Sequence, residues 1–295
     1  TRFVREPFGA DARLDLDALA AAVPLAVRLL DNVIDASRFP LPRQAEQARG
    51  TRRIGLGITG LADALILLNL RYDAEEARAL AGEVMATLCH SAYRASIALA
   101  REEGAFPYFE AGAYLNGAFV ARLPEDIRAG IARHGIRNSH LLAIAPTGTI
   151  SLLANNVSSG LEPVYEFEYR RRVRQADGGF REHRLSDHAL LRWRALRGDA
   201  PLPPGFVTAV DLPPAAHLAM QAAVQPHVDS AISKTINIPE AYPFAAFVDV
   251  YQQAYDLGLK GCTTFRPNRV TGAVLREAGA AAGNVPCCTL EREPD

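Results

Sequence analysis

Residues 138–151 have the sequence NSHLLAIAPTGTIS and combine two kinds of local structure. The apolar run Leu141 to Ala145 is typical of a buried strand, and Pro146-Thr147-Gly148 breaks it. From Ile150 to Ala154 the chain is apolar again, so a helix is expected directly after the break. A strand, a tight turn and a helix form the repeating unit of parallel α/β folds. The stretch therefore predicts an α/β domain.

The turn within this stretch has the chemistry that a phosphate requires. A helix N-terminus presents unpaired backbone N–H groups and the positive end of the helix dipole. Thr147, Thr149 and Ser151 add hydroxyl groups, and Gly148 lets the backbone approach phosphate oxygens without an intervening Cβ. The alternative is a plain helix cap, in which such hydroxyls satisfy the helix's own amides and bind nothing. The pattern alone leaves both interpretations open.

Helical and strand-like segments alternate on both sides of this stretch. The periodicity predicts helices over Leu16 to Ala36, Leu61 to Leu70, a long segment capped by Asp73 and ending at Gly104, the segment between Pro124 and Gly135, and Phe244 to Leu257. Strands are expected within Ala231 to Ile238 and Lys260 to Phe265. The Arg-rich stretch Arg170 to Asp187 is interpreted as an excursion or a hairpin with a solvated charged face. The Pro-rich residues 201–214 are interpreted as an insertion in one domain, and not as a domain boundary.

Composition excludes several classes of protein. The 295 residues are 49% hydrophobic, and 32 Lys+Arg against 33 Asp+Glu give a net charge of −1. A disordered chain has fewer apolar residues and more net charge, and a nucleic-acid binder has a basic face. No apolar run reaches the length of a membrane span. Four cysteines are too few for a disulfide scaffold, which favours a reducing, cytoplasmic location.

Two familiar binding patterns are weak here. Gly55, Gly57 and Gly60 match the dinucleotide spacing G-x-G-x-x-G, but no acidic partner about 20 residues later completes that unit. Close packing of a glycine-rich strand and turn is the preferred interpretation. The seven histidines and four cysteines show no paired metal-ligand spacing, so no metal site is expected.

Two reactive side chains stand in the strand-like segments of the second half. Lys234 lies within Ser233-Lys234-Thr235-Ile236-Asn237, and Cys262 precedes Thr263-Thr264-Phe265. Ligands of parallel α/β folds gather at the carboxyl ends of strands, so both are candidate site residues. The alternatives are a solvated strand lysine and a small, buried apolar cysteine.

Several segments together resemble the catalytic subunit of ribonucleotide reductase, most closely its adenosylcobalamin-dependent branch. These segments occur in family order and are Asp31 to Asp35, Arg38 to Pro40, Gly55 to Asp63, Asn138 to Ser151, Ser159 to Pro163, Ser233 to Pro239, and Lys260 to Pro267. The resemblance implies the second half of a ten-stranded α/β barrel, helix-rich and incomplete at its N-terminus. Residues 1–280 would form this partial barrel and residues 281–295 a tail.

The resemblance also implies a role for the turn described above. In this family the matching stretch holds the substrate's phosphates, and the corresponding residues here are Pro146, Thr147, Gly148, Thr149, Ile150 and Ser151. The expected substrate is a ribonucleoside di- or triphosphate, and the expected product is a deoxyribonucleotide for DNA synthesis. A thiol reductant would supply the electrons. Neither a membrane nor a nucleic acid is an expected partner, and a homodimer is left open.

One departure from the family pattern limits what this chain is expected to do. The family's radical-bearing cysteine lies in an Asn-x-Cys-x-Glu motif, which this sequence lacks and which is expected upstream of Thr1. The chain would therefore supply no catalytic residue and be inactive alone. Where the two-subunit branch carries two radical-relay tyrosines, this sequence has Thr263 and Thr264, so adenosylcobalamin is the expected radical source. The alternative is a non-catalytic, regulatory nucleotide-binding half-barrel.

Overall fold

The structure is a computed structural model that describes residues 1–174, 178–266 and 276–277. The vicinal Cys287 and Cys288 and the expected tail lie outside the described residues. Ten α-helices are present in the described part of the chain, and they are α1 (Leu16–Ala36), α2 (Pro42–Thr51), α3 (Leu61–Leu67), α4 (Glu75–Glu103), α5 (Ala111–Leu115), α6 (Glu125–His134), α7 (Gly148–Leu153), α8 (His188–Arg197), α9 (Pro214–Val224) and α10 (Phe244–Asp256).

The strands are short. They are β1 (Val4–Arg5), β2 (Arg13–Leu14), β3 (Glu168–Arg174), β4 (Phe180–Ser186), β5 (Thr235–Asn237), β6 (Thr263–Phe265) and β7 (Arg276–Glu277). β1 and β2 form a small antiparallel pair, and β3 pairs with both β4 and β7 in antiparallel orientation. The β3–β4 pair confirms the predicted hairpin. Its Arg170 is exposed and lies 3.8 Å from Glu182, as a solvated charged face requires.

Four extended segments run parallel beside one another and organise the rest of the molecule. Leu56 bridges Leu142, Ile144 bridges Ile232, and β5 pairs in parallel register with β6. Backbone hydrogen bonds join the first three, including Leu56 N–H to Leu141 O at 2.7 Å and Ser233 N–H to Ile144 O at 2.8 Å. The order along this arrangement is therefore residues 54–58, 140–145, 231–238 and 263–265. The predicted α/β organisation is confirmed in this form.

The resemblance implies the second half of a ten-stranded barrel, and the described residues form four parallel segments and no closed barrel. Closure requires tilted strands with a continuous staggered register around a ring, and four short parallel segments cannot supply it. The result is a helix-rich α/β domain in which isolated bridges replace long ladders. None of the helices in the described part of the chain has the length and apolarity needed to cross a bilayer.

The core lies between the long helices and the parallel segments. α1 places Leu19, Val23 and Val27 on one face at helical spacing, and this face packs against α4. A second, smaller apolar cluster joins α9, β5 and α10 through Leu218, Ile236 and Val250.

The helix ends differ from the prediction at the end of α3, which stops at Leu67 and not at Leu70, and at the start of α4. Gly104 ends α4 and Gly135 ends α6, as predicted. Asp73 does not cap α4, because Ala74 occupies the N-cap and the Asp73 carboxylate instead accepts two hydrogen bonds from Arg71 at 2.9 and 3.0 Å.

The glycines of residues 55–60 allow close packing of the backbone, as predicted. A Cβ on Gly57 would lie 2.3 Å from the Ala143 carbonyl oxygen, and Gly60 has a φ of 77° at the start of α3. The Pro-rich residues 201–214 contribute to the core, because Phe206 stacks at 6.1 Å from Phe8. Whether this segment is an insertion stays a prediction.

Candidate functional site

A cleft of about 540 Å³ opens beside the parallel segments. Most of its lining comes from four parts of the chain: the 146–152 turn and helix, the 156–169 loop, the 233–237 strand, and β6. Asp187 and Ala209 complete it. The lining residues named in the sequence analysis are Pro146, Gly148, Ser151, Ser159, Glu162, Pro163, Ser233, Thr235, Asn237, Thr263, Thr264 and Phe265. The cleft volume is in the range that small-molecule sites occupy. The fold thus brings the singled-out segments to one place.

The α7 turn lines the cleft with Pro146, Gly148 and Ser151, whereas Thr147, Thr149 and Ile150 are not among its lining residues. Thr147 adopts a left-handed conformation with φ 51°, which turns the chain from the 140–145 segment into α7. Gly148, Thr149 and Ile150 are exposed, and a Cβ on Gly148 would have no atom within 4 Å. The first-turn amides of a helix have no acceptor inside that helix. These amides are therefore accessible to a ligand from the side of Gly148.

Two of the three predicted hydroxyls bind protein groups. Thr147 Oγ1 accepts the Gly160 amide at 2.8 Å and lies 3.2 Å from Thr59 Oγ1. Ser151 Oγ donates to the Gly148 carbonyl at 3.1 Å and lies 3.0 Å from Ser159 Oγ. The two hydroxyls join α7 to the 158–163 loop and so fix the shape of the turn.

The 158–163 loop is held by a buried carboxylate. Asp63 is fully buried on α3 and accepts the Ser158 amide at 2.6 Å and the Ala189 amide at 2.9 Å. Gly160 has a φ of 52°, and a Cβ there would lie 2.9 Å from the Ala145 carbonyl oxygen. The loop therefore lies directly against the end of the 140–145 segment.

Glu162 and Lys234 form an ion pair at the edge of the cleft. Lys234 Nζ donates to Glu162 Oε2 at 2.6 Å, and the Thr235 amide donates to Glu162 Oε1 at 2.7 Å. Lys234 is only 2% exposed, so the solvated-lysine interpretation is wrong. Burial lowers the pKa of Lys234, and the charge of Glu162 opposes that change.

His217 on α9 completes this group. Its Nδ1 lies 2.8 Å from Lys234 Nζ and accepts a hydrogen bond from it, because an ammonium can only donate. Burial and the adjacent charge of Lys234 lower the pKa of His217 to about 3. His217 is therefore neutral at physiological pH.

The described lining of the cleft has acidic side chains and no basic ones. Glu162, Glu166 and Asp187 line it, and no Lys, Arg or His is among the described lining residues. Burial and the nearby charge of Asp63 raise the pKa of Asp187 well above its ordinary value. A bound anion would thus depend on backbone amides, and the exposed start of α7 provides them.

β6 contributes hydroxyl groups to the cleft, and the thiol of the preceding Cys262 does not line it. Thr263 and Thr264 line the cleft. The hydroxyl oxygen of Tyr251 on α10 lies 2.9 Å from Thr264 Oγ1, but Tyr251 does not line the cleft. Cys262 is not among the lining residues. It is half-buried beside the apolar cluster of α9, β5 and α10, and burial raises the pKa of its thiol. The structure thus favours a packing role for Cys262.

Sequence reasoning did not single out His217, Asp187 or Glu166. Ser159 to Pro163 was recognised as a segment, but the pairing of Glu162 with Lys234 required the fold. His217 is 17 residues from Lys234 in sequence and has no local signal. Among the described residues no group of three or more His, Cys, Asp or Glu side chains could hold a metal ion.

These features define an α/β domain with a small-molecule cleft suited to a ligand that has an anionic part and hydroxyl groups. The chain belongs to the ribonucleotide reductase family, because residues 1–265 match the family model described as ribonucleotide reductase, barrel domain. It is similar to the vitamin B12-dependent ribonucleoside-diphosphate reductase of Mycobacterium tuberculosis strain CDC 1551, with 37% identity over 91% of this chain and 39% of the relative.

Other relatives agree with this assignment. The vitamin B12-dependent ribonucleoside-diphosphate reductase of Thermoplasma acidophilum is 34% identical over 93% of this chain and 36% of its own length. The ribonucleoside-diphosphate reductase large chain of Encephalitozoon cuniculi is 33% identical over 56% of this chain and 23% of its own length. The chain thus spans less than two fifths of the length of these B12-dependent relatives.

Proposed function

We propose that this chain is the part of an adenosylcobalamin-dependent ribonucleotide reductase that binds the substrate's phosphates. The observation that carries the proposal is that the α7 turn, Glu162, the 233–237 strand and β6 line one cleft. The match to the family and the names of the relatives support the reaction class. The substrate would be a ribonucleoside di- or triphosphate, and a thiol reductant would regenerate the enzyme.

The phosphates would bind at residues 146–151. The exposed amides of Gly148, Thr149 and Ile150 offer donors and the positive end of a helix dipole. The carboxylates of the cleft disfavour phosphate elsewhere along the lining. The ribose would then extend toward Glu162 and β5. The sequence supports a role in positioning the nucleotide, while the radical cysteine would come from the Asn-x-Cys-x-Glu motif expected upstream of Thr1.

The cofactor does not fit within this cleft. Adenosylcobalamin is several times larger than a nucleotide, and a cavity of about 540 Å³ has the size of a site for one small ligand. No described residue is therefore assigned to the cofactor. When bound to the complete protein, it would supply the radical that starts the reaction. Thr263 and Thr264 favour this radical source, since their hydroxyls cannot be oxidised as phenols can.

The complete protein, purified without any partner protein, provides the test. It would be incubated with ribonucleoside diphosphates or triphosphates, a dithiol and adenosylcobalamin, and the deoxyribonucleotide product would be measured. Product that depends on adenosylcobalamin is the expected result. A protein that binds nucleotide but yields no product under any of these conditions would instead be the non-catalytic, regulatory half-barrel.

A further inference from the structure

The Glu162 carboxylate has unused hydrogen-bonding capacity at the cleft. An ionised carboxylate has about four acceptor sites, and Glu162 accepts a hydrogen bond from Lys234 Nζ on one oxygen and from the Thr235 amide on the other. The side chain is 25% exposed, whereas that of Lys234 is fully buried. The remaining acceptor sites therefore face a region that a ligand can enter.

All three donors of Lys234 are occupied by protein groups, and one of these is the Glu162 carboxylate. Its three donors point to Glu162 Oε2, His217 Nδ1 and the Thr235 carbonyl, the last at 2.6 Å. No donor remains for a ligand, so Lys234 acts only through Glu162. Lys234 Nζ and the Thr235 amide each donate a charge-assisted hydrogen bond to one oxygen of Glu162. Together they hold its carboxylate in one orientation.

The chemistry of a nucleotide restricts what Glu162 can receive. Phosphate oxygens accept hydrogen bonds and repel a carboxylate, so they belong at the α7 amides instead. The hydroxyls of the ribose are donors that every ribonucleotide carries whatever its base. A carboxylate with free acceptor sites in the same cleft as the α7 turn suits such hydroxyls.

Resting on the function proposed above, we propose that Glu162 accepts a hydrogen bond from a ribose hydroxyl of the bound nucleotide. Lys234 is the positioning residue that orients its carboxylate. The pair would thus distinguish a ribonucleotide from an analogue without ribose hydroxyls. This role is separate from that of the α7 turn, which would bind the phosphates of both ligands equally.

The test measures ligand discrimination in the complete protein. Calorimetry would give the Kd of cytidine diphosphate, its 2′,3′-dideoxy analogue and inorganic pyrophosphate. Wild type is expected to prefer cytidine diphosphate over the analogue by about 10- to 100-fold, the size of one hydrogen bond to a charged group. Glu162→Gln should lose this preference while its Kd for pyrophosphate stays unchanged. Lys234→Met should lose part of the preference, and Lys234→Arg should restore more of it than Met does.

Lys260→Met is the matched control. Lys260 also donates to backbone carbonyls, at Val228, Asp229 and Ser230, but it does not line the cleft. This variant should keep the full preference. If Glu162→Gln does not fold, Glu162→Asp is measured instead. This change withdraws the carboxylate by one methylene and should cause the same loss of preference for cytidine diphosphate.

The outcomes separate the two proposals. A folded Glu162→Gln variant that keeps the wild-type preference would overturn the role of Glu162 alone. Equal binding of cytidine diphosphate and its dideoxy analogue by wild type would do the same. Wild type that binds neither cytidine diphosphate nor pyrophosphate would overturn the proposed function itself, and the role of Glu162 with it.

Discussion

Two buried charged clusters in this molecule use similar side chains for different purposes. The first, the Asp31 cluster, contains Asp31, Arg52, Arg137 and Asn138 and lies away from the cleft. The second, the Lys234 cluster, contains Lys234, Glu162 and His217, and its Glu162 lines the cleft. The difference indicates that burial and charge alone do not mark a functional site. What distinguishes the second cluster is a carboxylate that lines the cleft.

The central carboxylate of the Asp31 cluster is enclosed by its partners. Asp31 is 3% exposed and accepts Arg52 Nε at 2.9 Å, Arg137 Nε at 3.1 Å and Asn138 Nδ2 at 2.8 Å. Arg52 is bound in addition by Asp35. The cluster ties α1 and the end of α2 to the start of the 138–145 segment. Its expected role is to hold the strand that leads into the cleft.

The largest effect is expected from Asp31→Asn. The change leaves two nearly buried guanidinium groups without their shared carboxylate, and breaking a buried ion pair costs about 3–5 kcal/mol. Urea denaturation should show a loss of this size in the free energy of unfolding. Asp126→Asn, which breaks the exposed pair with Arg94, is the control and should leave the midpoint unchanged. A fully stable Asp31→Asn protein would contradict the assigned role.

A pH effect is expected from the Lys234 cluster. The pKa of His217 is about 3 in the folded protein against an ordinary value of 6.5. The unfolded chain therefore binds more protons between pH 6.5 and 3, and this histidine lowers stability progressively as the pH falls through that range. At pH 4.5 the loss is about 3 kcal/mol.

His217→Asn tests this effect because its amide oxygen can still accept from Lys234 but cannot titrate. Denaturation midpoints measured from pH 7.5 to 4.5 should fall less steeply in the variant than in wild type. The Asp31 cluster contains no histidine, so Asp31→Asn should leave this slope as it is. Parallel pH profiles for wild type and His217→Asn would show that the histidine is not held neutral by its surroundings.

The sequence predicted the local elements better than the clusters. The turn at Pro146 and Gly148 and the helix ends at Gly104 and Gly135 follow from proline and glycine chemistry, which acts over a few residues. The neutral His217 and the buried Lys234 depend on α9, which begins at Pro214, the last residue of the segment expected to be an insertion. Their contacts join positions 17 and 72 residues apart, and no local pattern carries that information. The second half of a ten-stranded barrel was expected from the resemblance, and the described residues show four parallel segments.

The smallest effect, but the most specific one, is expected from Gly148→Val. A Cβ at Gly148 has no atom within 4 Å, so the variant should unfold at the wild-type midpoint. Its side chain would stand where phosphate oxygens approach the α7 amides, and the KM for the ribonucleotide should rise about tenfold, as for the loss of one hydrogen bond. Gly57→Ala is the opposite case, because its Cβ would lie 2.3 Å from the Ala143 carbonyl oxygen and the cost should appear in stability. An unchanged KM in a folded Gly148→Val enzyme would remove the α7 turn from the phosphate site. Ligand binding in the cleft would then have to be explained by Glu162 and not by the α7 turn.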